Sequence, residues 1–402
     1  MVRIEETPIS CSGTDTISAK APTNRRGLRV DQSRRPSDRA RIQARSSGVE
    51  LLRILAMLLI LAHHSMFHSG MNLLSAGISP RDLFEATLNI SGKLGVAVFV
   101  VITGYFQVRA RFRAAKPLLL AAQTGFYGLV LFSIAFARGR LGPMTPELAF
   151  SGFKSLLSAL YSEYWFVTTY LVLYLASPFL NRLIRALSRR ELLALIAGGY
   201  TVLCLLPTVF FIQMNWYSLG GLFALLYLIG AYLRLYQPLE RVSGRTLVLA
   251  SAAAQLLLVL LIVGLLPAAG LKSEILTRYQ LSLWPESSPF TVLIAAGLVL
   301  GFSRFPFHSR AVNRIAAATL GVYLLHDNNY VRPVLWSRLP IAAHLADNRI
   351  FLYAPLCILV VYLACSILEL ARQRLIEPLY APALTRLADR LTARFNTWRR
   401  QP

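Results

Sequence analysis

Read for where apolar and polar positions fall, the chain divides near residue 48. Before that point large apolar residues are sparse. After it, apolar runs return again and again, separated by short polar stretches. About 20 helical residues at 1.5 Å each cross a 30 Å hydrocarbon core, so the longer runs read as membrane spans. Ten are predicted, at 50–68, 84–106, 117–137, 163–180, 192–211, 216–233, 246–266, 288–302, 315–331 and 350–370. Lys93 interrupts the second, and the eighth is short. The pattern therefore predicts an all-α, polytopic membrane protein with about ten transmembrane helices. Residues 1–48 read as a disordered basic tail, 49–375 as the transmembrane domain, and 376–402 as a basic amphipathic segment at the membrane surface. In that last segment Leu384, Leu387, Leu391, Phe395 and Trp398 share one helical face, and Arg386, Arg390 and Arg394 another.

The first span, Glu50 to His68, has the most informative pattern. Nine unbroken apolar residues, Ile54 to Ala62, lie between a charged start and three histidines, His63, His64 and His68. Arg53 and His64 are eleven residues apart, close to three helical turns, so they share a face roughly 16 Å apart along the axis. Met57 and Ile60 lie between them. Ionisable groups inside a membrane are costly and normally face a protein interior or a wet cavity. That places a site on this face.

Composition agrees: 55% of the 402 residues are hydrophobic and 15% charged, well under the roughly 25% charged of soluble domains. The net charge of +23 could suggest nucleic acid, but its distribution does not. With the N-terminus cytoplasmic, 31 of the 42 Lys and Arg fall in cytoplasmic segments and nine outside, as the positive-inside rule requires. Both termini are then expected in the cytoplasm, and the charge is topology rather than a nucleic-acid footprint. The N-terminal stretch lacks the apolar region of a signal peptide, and its acids argue against a transit peptide. Cys11, Cys204, Cys357 and Cys365 form no CxxC pair and predict neither a disulfide framework nor a metal site.

This orientation sets Arg53 near the cytoplasmic side and His64 near the outer side. His63, His64, His68, Glu163, Tyr164, Trp165, His326 and Asp327 gather at the outer level. Arg53, Thr103 to Phe106, and the Arg109, Arg111, Arg113 and Lys116 cluster gather at the inner one. Imidazoles beside carboxylates suit general base work, and a hydroxyl attacking a thioester needs such a base together with a donor for the developing oxyanion. No G-x-S-x-G elbow, P-loop or HExxH is present.

Four blocks then resemble one family. Glu50, Arg53 and His64 match the first-span pattern of the acyltransferase 3 family, integral membrane enzymes that O-acetylate extracytoplasmic glycans. GVAVFVVITGYF (95–106), YWFVTTYLVLYLASPFLN (164–181) and LGVYLLHDN (320–328) resemble its later elements. The resemblance implies an acyl-CoA donor, acetyl-CoA foremost, used from the cytoplasm, and a glycan or glycolipid acceptor hydroxyl outside, in the cell membrane. It implies His64 as the essential histidine, Arg53 as its helix partner with Glu50 completing the pattern, and Thr103, Gly104 and Tyr105 toward the donor. His63, Glu163, Trp165, His326 and Asp327 fall to the acceptor side. Ala97 stands where many members have Asp, and Thr103 where many have Ser. A transporter of a sugar or lipid-linked saccharide would use the same histidines for proton coupling, but the two halves show no repeat. A scaffold without chemistry would tolerate change at both Arg53 and His64.

Overall fold

The computed structural model describes residues 47–73, 77–161, 163–212, 216–265 and 274–398; nearly all of the predicted N-terminal tail lies outside them. Among the described residues the fold is all-α. Eight helices are long and apolar enough to cross a bilayer, and a shorter apolar helix accompanies them, so this is a multi-pass integral membrane protein.

Two helices form the centre. In α1 (Ser47–His68) and α2 (Pro80–Gln107) small residues let the backbones approach closely. A Cβ at Gly92 would fall 2.1 Å from the His63 Cβ, and one at Gly95 would fall 2.5 Å from the Ala56 carbonyl oxygen. On its other side α2 meets α8 (Trp216–Tyr236), where a Cβ at Gly104 would sit 2.1 Å from the Tyr227 carbonyl oxygen and one at Gly230 2.1 Å from that of Val101. Of its most apolar window, α2 has 72% buried, against 22% for Arg189–Phe210. The first pair is therefore the core, and the latter segment is peripheral.

Around this core stand α3 (Ala115–Ala137), α4 (Pro146–Leu156), α5 (Trp165–Ala186), and α6 (Arg189–Tyr200), which runs through a π-helical stretch at Thr201–Leu205 into α7 (Leu206–Phe210). The wider turn comes just before Pro207, which has no N–H to give the ladder. Beyond α8 lie α9 (Gly244–Leu260), α10 (Glu274–Leu283), α11 (Pro289–Phe302), α12 (Arg310–Ala317), α13 (Thr319–His326), α14 (Arg332–Arg338), α15 (Ile350–Leu375) and α16 (Glu377–Trp398). Side-chain caps fix several entries. Ser79 accepts from the Asp82 N–H ahead of Pro80, and Ser188 and Glu191 form a capping box.

The helix boundaries bear on the sequence reading at two informative places. The span expected over 315–331 is instead α12 and α13, two short helices parted at Ala318, and α13 stops at His326. Asn328 Oδ1 accepts from the Tyr330 N–H, and Arg332 reaches back to Asp327 at 3.2 Å; this side-chain turn competes with the helix ladder. The charge at Lys93 does not break the second span, because its ammonium pairs with Glu286 at 2.9 Å. The C-terminal segment is helical, as α16. It packs against α3 with Ala388 fully buried, while Leu387 and Leu391 stay exposed.

Candidate active site

One cavity of about 350 Å³ runs along α1. Arg53, Met57, Ile60 and His64 line it, the residues whose helical period puts them on one face. Its opposite wall comes from α2 (Val96, Phe99, Thr103), α3 (Lys116, Leu120), α5 (Trp165, Phe166, Tyr170, Tyr174) and the α12–α13 pair (Ala316, Thr319, Tyr323).

At one end the cavity is cationic. The Arg53 guanidinium is held 3.1 Å from the buried Glu50 carboxylate, one helical turn away, and lies over the Phe106 ring at 5.8 Å. Lys116 lies over Tyr174 at 5.7 Å. Glu50 thus orients Arg53 without itself lining the cavity.

At the other end His64 meets His326. Nδ1 of His64 and Nε2 of His326 are 2.9 Å apart. Nδ1 of His326 is 2.6 Å from the Val322 carbonyl oxygen, which can only accept, so that nitrogen carries a proton. In the neutral ring Nε2 of His326 is then an acceptor, and His64 donates to it from Nδ1. The His64 lone pair is thereby assigned to Nε2. Asp327 Oδ1 lies 3.8 Å from His64 Nδ1 and is itself held by Arg332. His326 is fully buried and does not line the cavity; it acts through His64. Beside the pair, Tyr323 lines the cavity at 5% exposure, and its buried hydroxyl has no hydrogen-bond partner among the described residues.

The remaining expected residues divide. Trp165 and Thr103 line the cavity, and the Thr103 hydroxyl donates to the Phe99 carbonyl at 2.9 Å. Gly104 and Tyr105 do not line it: Gly104 is the contact point with α8, and the Tyr105 hydroxyl accepts from Arg234 at 3.2 Å. His63 points away from His64's cavity, donating from Nδ1 to the Asn89 carbonyl at 2.7 Å with its ring 6.0 Å from that of Trp284. Glu163 lies before α5 and outside the cavity, and burial pushes its carboxyl up from the usual range. Ala97 is fully buried and is not on the cavity wall. Sequence reasoning named Tyr323 only as part of a block. Its chemistry depends on an unpaired hydroxyl, which periodicity does not reveal. Among the described residues no three His, Cys, Asp or Glu side chains come together as a metal site would need.

An intramembrane cavity with arginine at one end and an oriented histidine at the other fits a membrane-embedded group-transfer enzyme, and comparison with known families agrees. The acyltransferase domain of the acyltransferase 3 family matches residues 46–369. The chain belongs to that family and is an acyltransferase. No curated protein and no solved structure matches it. The transporter and scaffold readings give way to this assignment.

Proposed function

We propose that the protein transfers an acyl group, acetyl foremost, from cytoplasmic acyl-CoA to a hydroxyl of an extracytoplasmic glycan or glycolipid. The observation that carries this reading is the single cavity shared by Arg53 and His64. Their separation of eleven positions spans roughly 16 Å of helix, a distance suited to an extended pantetheine arm. A cavity of about 350 Å³ is too small for the nucleotide as well, so the phosphates stay at the cationic mouth by Arg53 and Lys116. The excess of Lys and Arg in the segments assigned to the cytoplasm supports entry from that side.

The chemistry follows from the assigned lone pair. His64 Nε2 takes the proton of the acceptor hydroxyl as its oxygen attacks the thioester carbonyl, forming the new C–O bond. Tyr323 donates a hydrogen bond to the oxyanion that develops. The tetrahedral intermediate collapses with cleavage of the C–S bond, and the imidazolium returns its proton to the departing thiolate, leaving an ester and free CoA. His326, accepting at its Nε2 from His64 Nδ1, steadies the cationic ring in between, with Asp327 nearby. The domain reading places 1–48 and 376–402 as cytoplasmic appendages to this catalytic domain, the latter lying on the membrane surface.

Membranes containing the protein, incubated with labelled acetyl-CoA and surface glycan, are expected to yield labelled ester. A His64→Ala chain that accumulates normally and keeps full transfer would overturn the assignment.

A further inference from the structure

A second cavity of about 790 Å³ shares the Trp165 wall with the first. Lys93, Glu286, Trp284, Ser282, Ser287 and Trp165 are among its lining residues. Three observations make it more than a groove. Lys93 and Glu286 form an ion pair at 2.9 Å across 193 residues of sequence, with Glu286 almost fully buried, and Lys93 is an ionisable group on a membrane helix facing a cavity, which marks a functional site by default. The Trp284 indole N–H is buried with no partner among the described residues. The cavity is also tied to the catalytic one twice: Trp165 lines both, and the Trp284 ring lies 6.0 Å from that of His63, the residue next to His64.

The lining selects a chemical class. Lys93 is neutralised by Glu286, and Arg278, which also lines the cavity, by Glu274 at 2.6 Å; a charged ligand therefore meets paired charge and gains little. A purely apolar ligand would leave the Trp284 N–H unpaired and offer the Lys93–Glu286 pair no polar neighbour, which is unfavourable away from water. A saccharide satisfies both, since its C–H face stacks on an indole while its hydroxyls bond to carboxylate, ammonium and indole N–H.

We infer that this second cavity is the acceptor site, holding one or more sugar units against Trp284 and the Lys93–Glu286 pair, with Trp165 as the wall that the acceptor hydroxyl passes to reach His64. The inference rests on the acyltransfer reading above and adds where the acceptor sits and which residues recognise it.

The test uses the full chain in membranes, labelled acetyl-CoA, and oligosaccharide released from cells lacking the protein as the acceptor probe. Trp284→Ala and Glu286→Gln are expected to raise the KM for oligosaccharide about tenfold or more, with the KM for acetyl-CoA held within about twofold. Trp284→Phe, which keeps an aromatic face but loses the pyrrole ring with its N–H, should raise it by a smaller factor, and it decides the matter together with Trp284→Ala if Glu286→Gln fails to accumulate. An acceptor KM within about twofold of the wild type in both Trp284 variants overturns the inference, while loss of transfer in His64→Ala leaves the acyltransfer reading standing. Transfer that persists in His64→Ala overturns that reading instead, and a wild-type chain that transfers nothing to the oligosaccharide overturns both.

Discussion

His64 donates from Nδ1 to Nε2 of His326 at 2.9 Å, and His326 in turn donates to the Val322 carbonyl. One backbone oxygen therefore sets the protonation pattern of both rings. Replacing His326 with Ala removes the acceptor that holds the His64 tautomer. We expect kcat to fall about 100-fold with little change in the KM for acetyl-CoA, whereas His64→Ala removes the base itself and costs up to roughly 10⁴-fold. Steady-state transfer assays in membranes measure both, and an unaltered kcat in His326→Ala would remove His326 from the mechanism.

Tyr323→Phe separates catalysis from folding. The hydroxyl has no partner among the described residues, so its loss should leave thermal stability unchanged or slightly raised. If it donates to the oxyanion, kcat drops about 10²- to 10³-fold. Unfolding in detergent and transfer rates on the same preparation give the two readouts. A variant as active as the wild type rules out the donor role.

Gly104→Ala tests the reassignment of the TGY segment. The new methyl would press on the Tyr227 carbonyl oxygen, and overpacking of this kind costs about 1–3 kcal/mol. Lower melting temperature with an unchanged KM for acetyl-CoA is the expected result. A raised KM at unchanged stability would return Gly104 to the donor site.

Arg53→Gln removes the cation from the cavity mouth while keeping a polar side chain. The KM for acetyl-CoA should rise about tenfold, the equivalent of one lost charge-assisted contact. The smaller thioester acetyl-pantetheine, which lacks the nucleotide phosphates, should be used equally well by variant and wild type; equal discrimination against it by the two chains would mean that Arg53 does not meet the phosphates.

Acidification probes Glu286. Burial pushes its carboxyl up from the ordinary value of 4.5, but the charge and hydrogen bond of the Lys93 ammonium, with a backbone N–H, together hold it lower. A depressed folded value means that the pair's contribution to stability is present above the unfolded value and is lost as pH falls through the folded one. Glu286→Gln should therefore melt below the wild type at pH 7, with the gap closing as pH falls below the ordinary carboxylate range. A gap independent of pH would show that the pair contributes no such linkage.

How much of this was legible beforehand depends on the kind of information each residue carries. The cavity face of α1 was fully readable, because Arg53, Met57, Ile60 and His64 obey helical period and nothing else is needed. The same arithmetic could not tell Thr103 from Gly104 and Tyr105, since three consecutive residues point in three directions and the choice belongs to the neighbouring helix. Topology set His326 at the level of His64, but their contact spans 262 residues and no local pattern announces it. Lys93 seemed a defect in a span until Glu286, 193 residues away, proved to be its partner; Glu286 carries no local pattern. The span ending at His326 instead of 331 was written in Asp327, Asn328 and Asn329, whose side chains turn the chain, but the surrounding apolar residues masked that signal.

The glycine contacts of α2 have a mechanical consequence. Gly92 and Gly95 seat it on α1, and Gly104, with Gly230 opposite, seats it on α8. Sliding or rotation on those two sides would drive backbone against backbone. Both cavities nevertheless need to admit and release cargo with every turnover. The wall they share is Trp165 of α5, which takes part in none of these glycine contacts. The protein is thus expected to work as an anvil of α1, α2 and α8, with α5 as its yielding side.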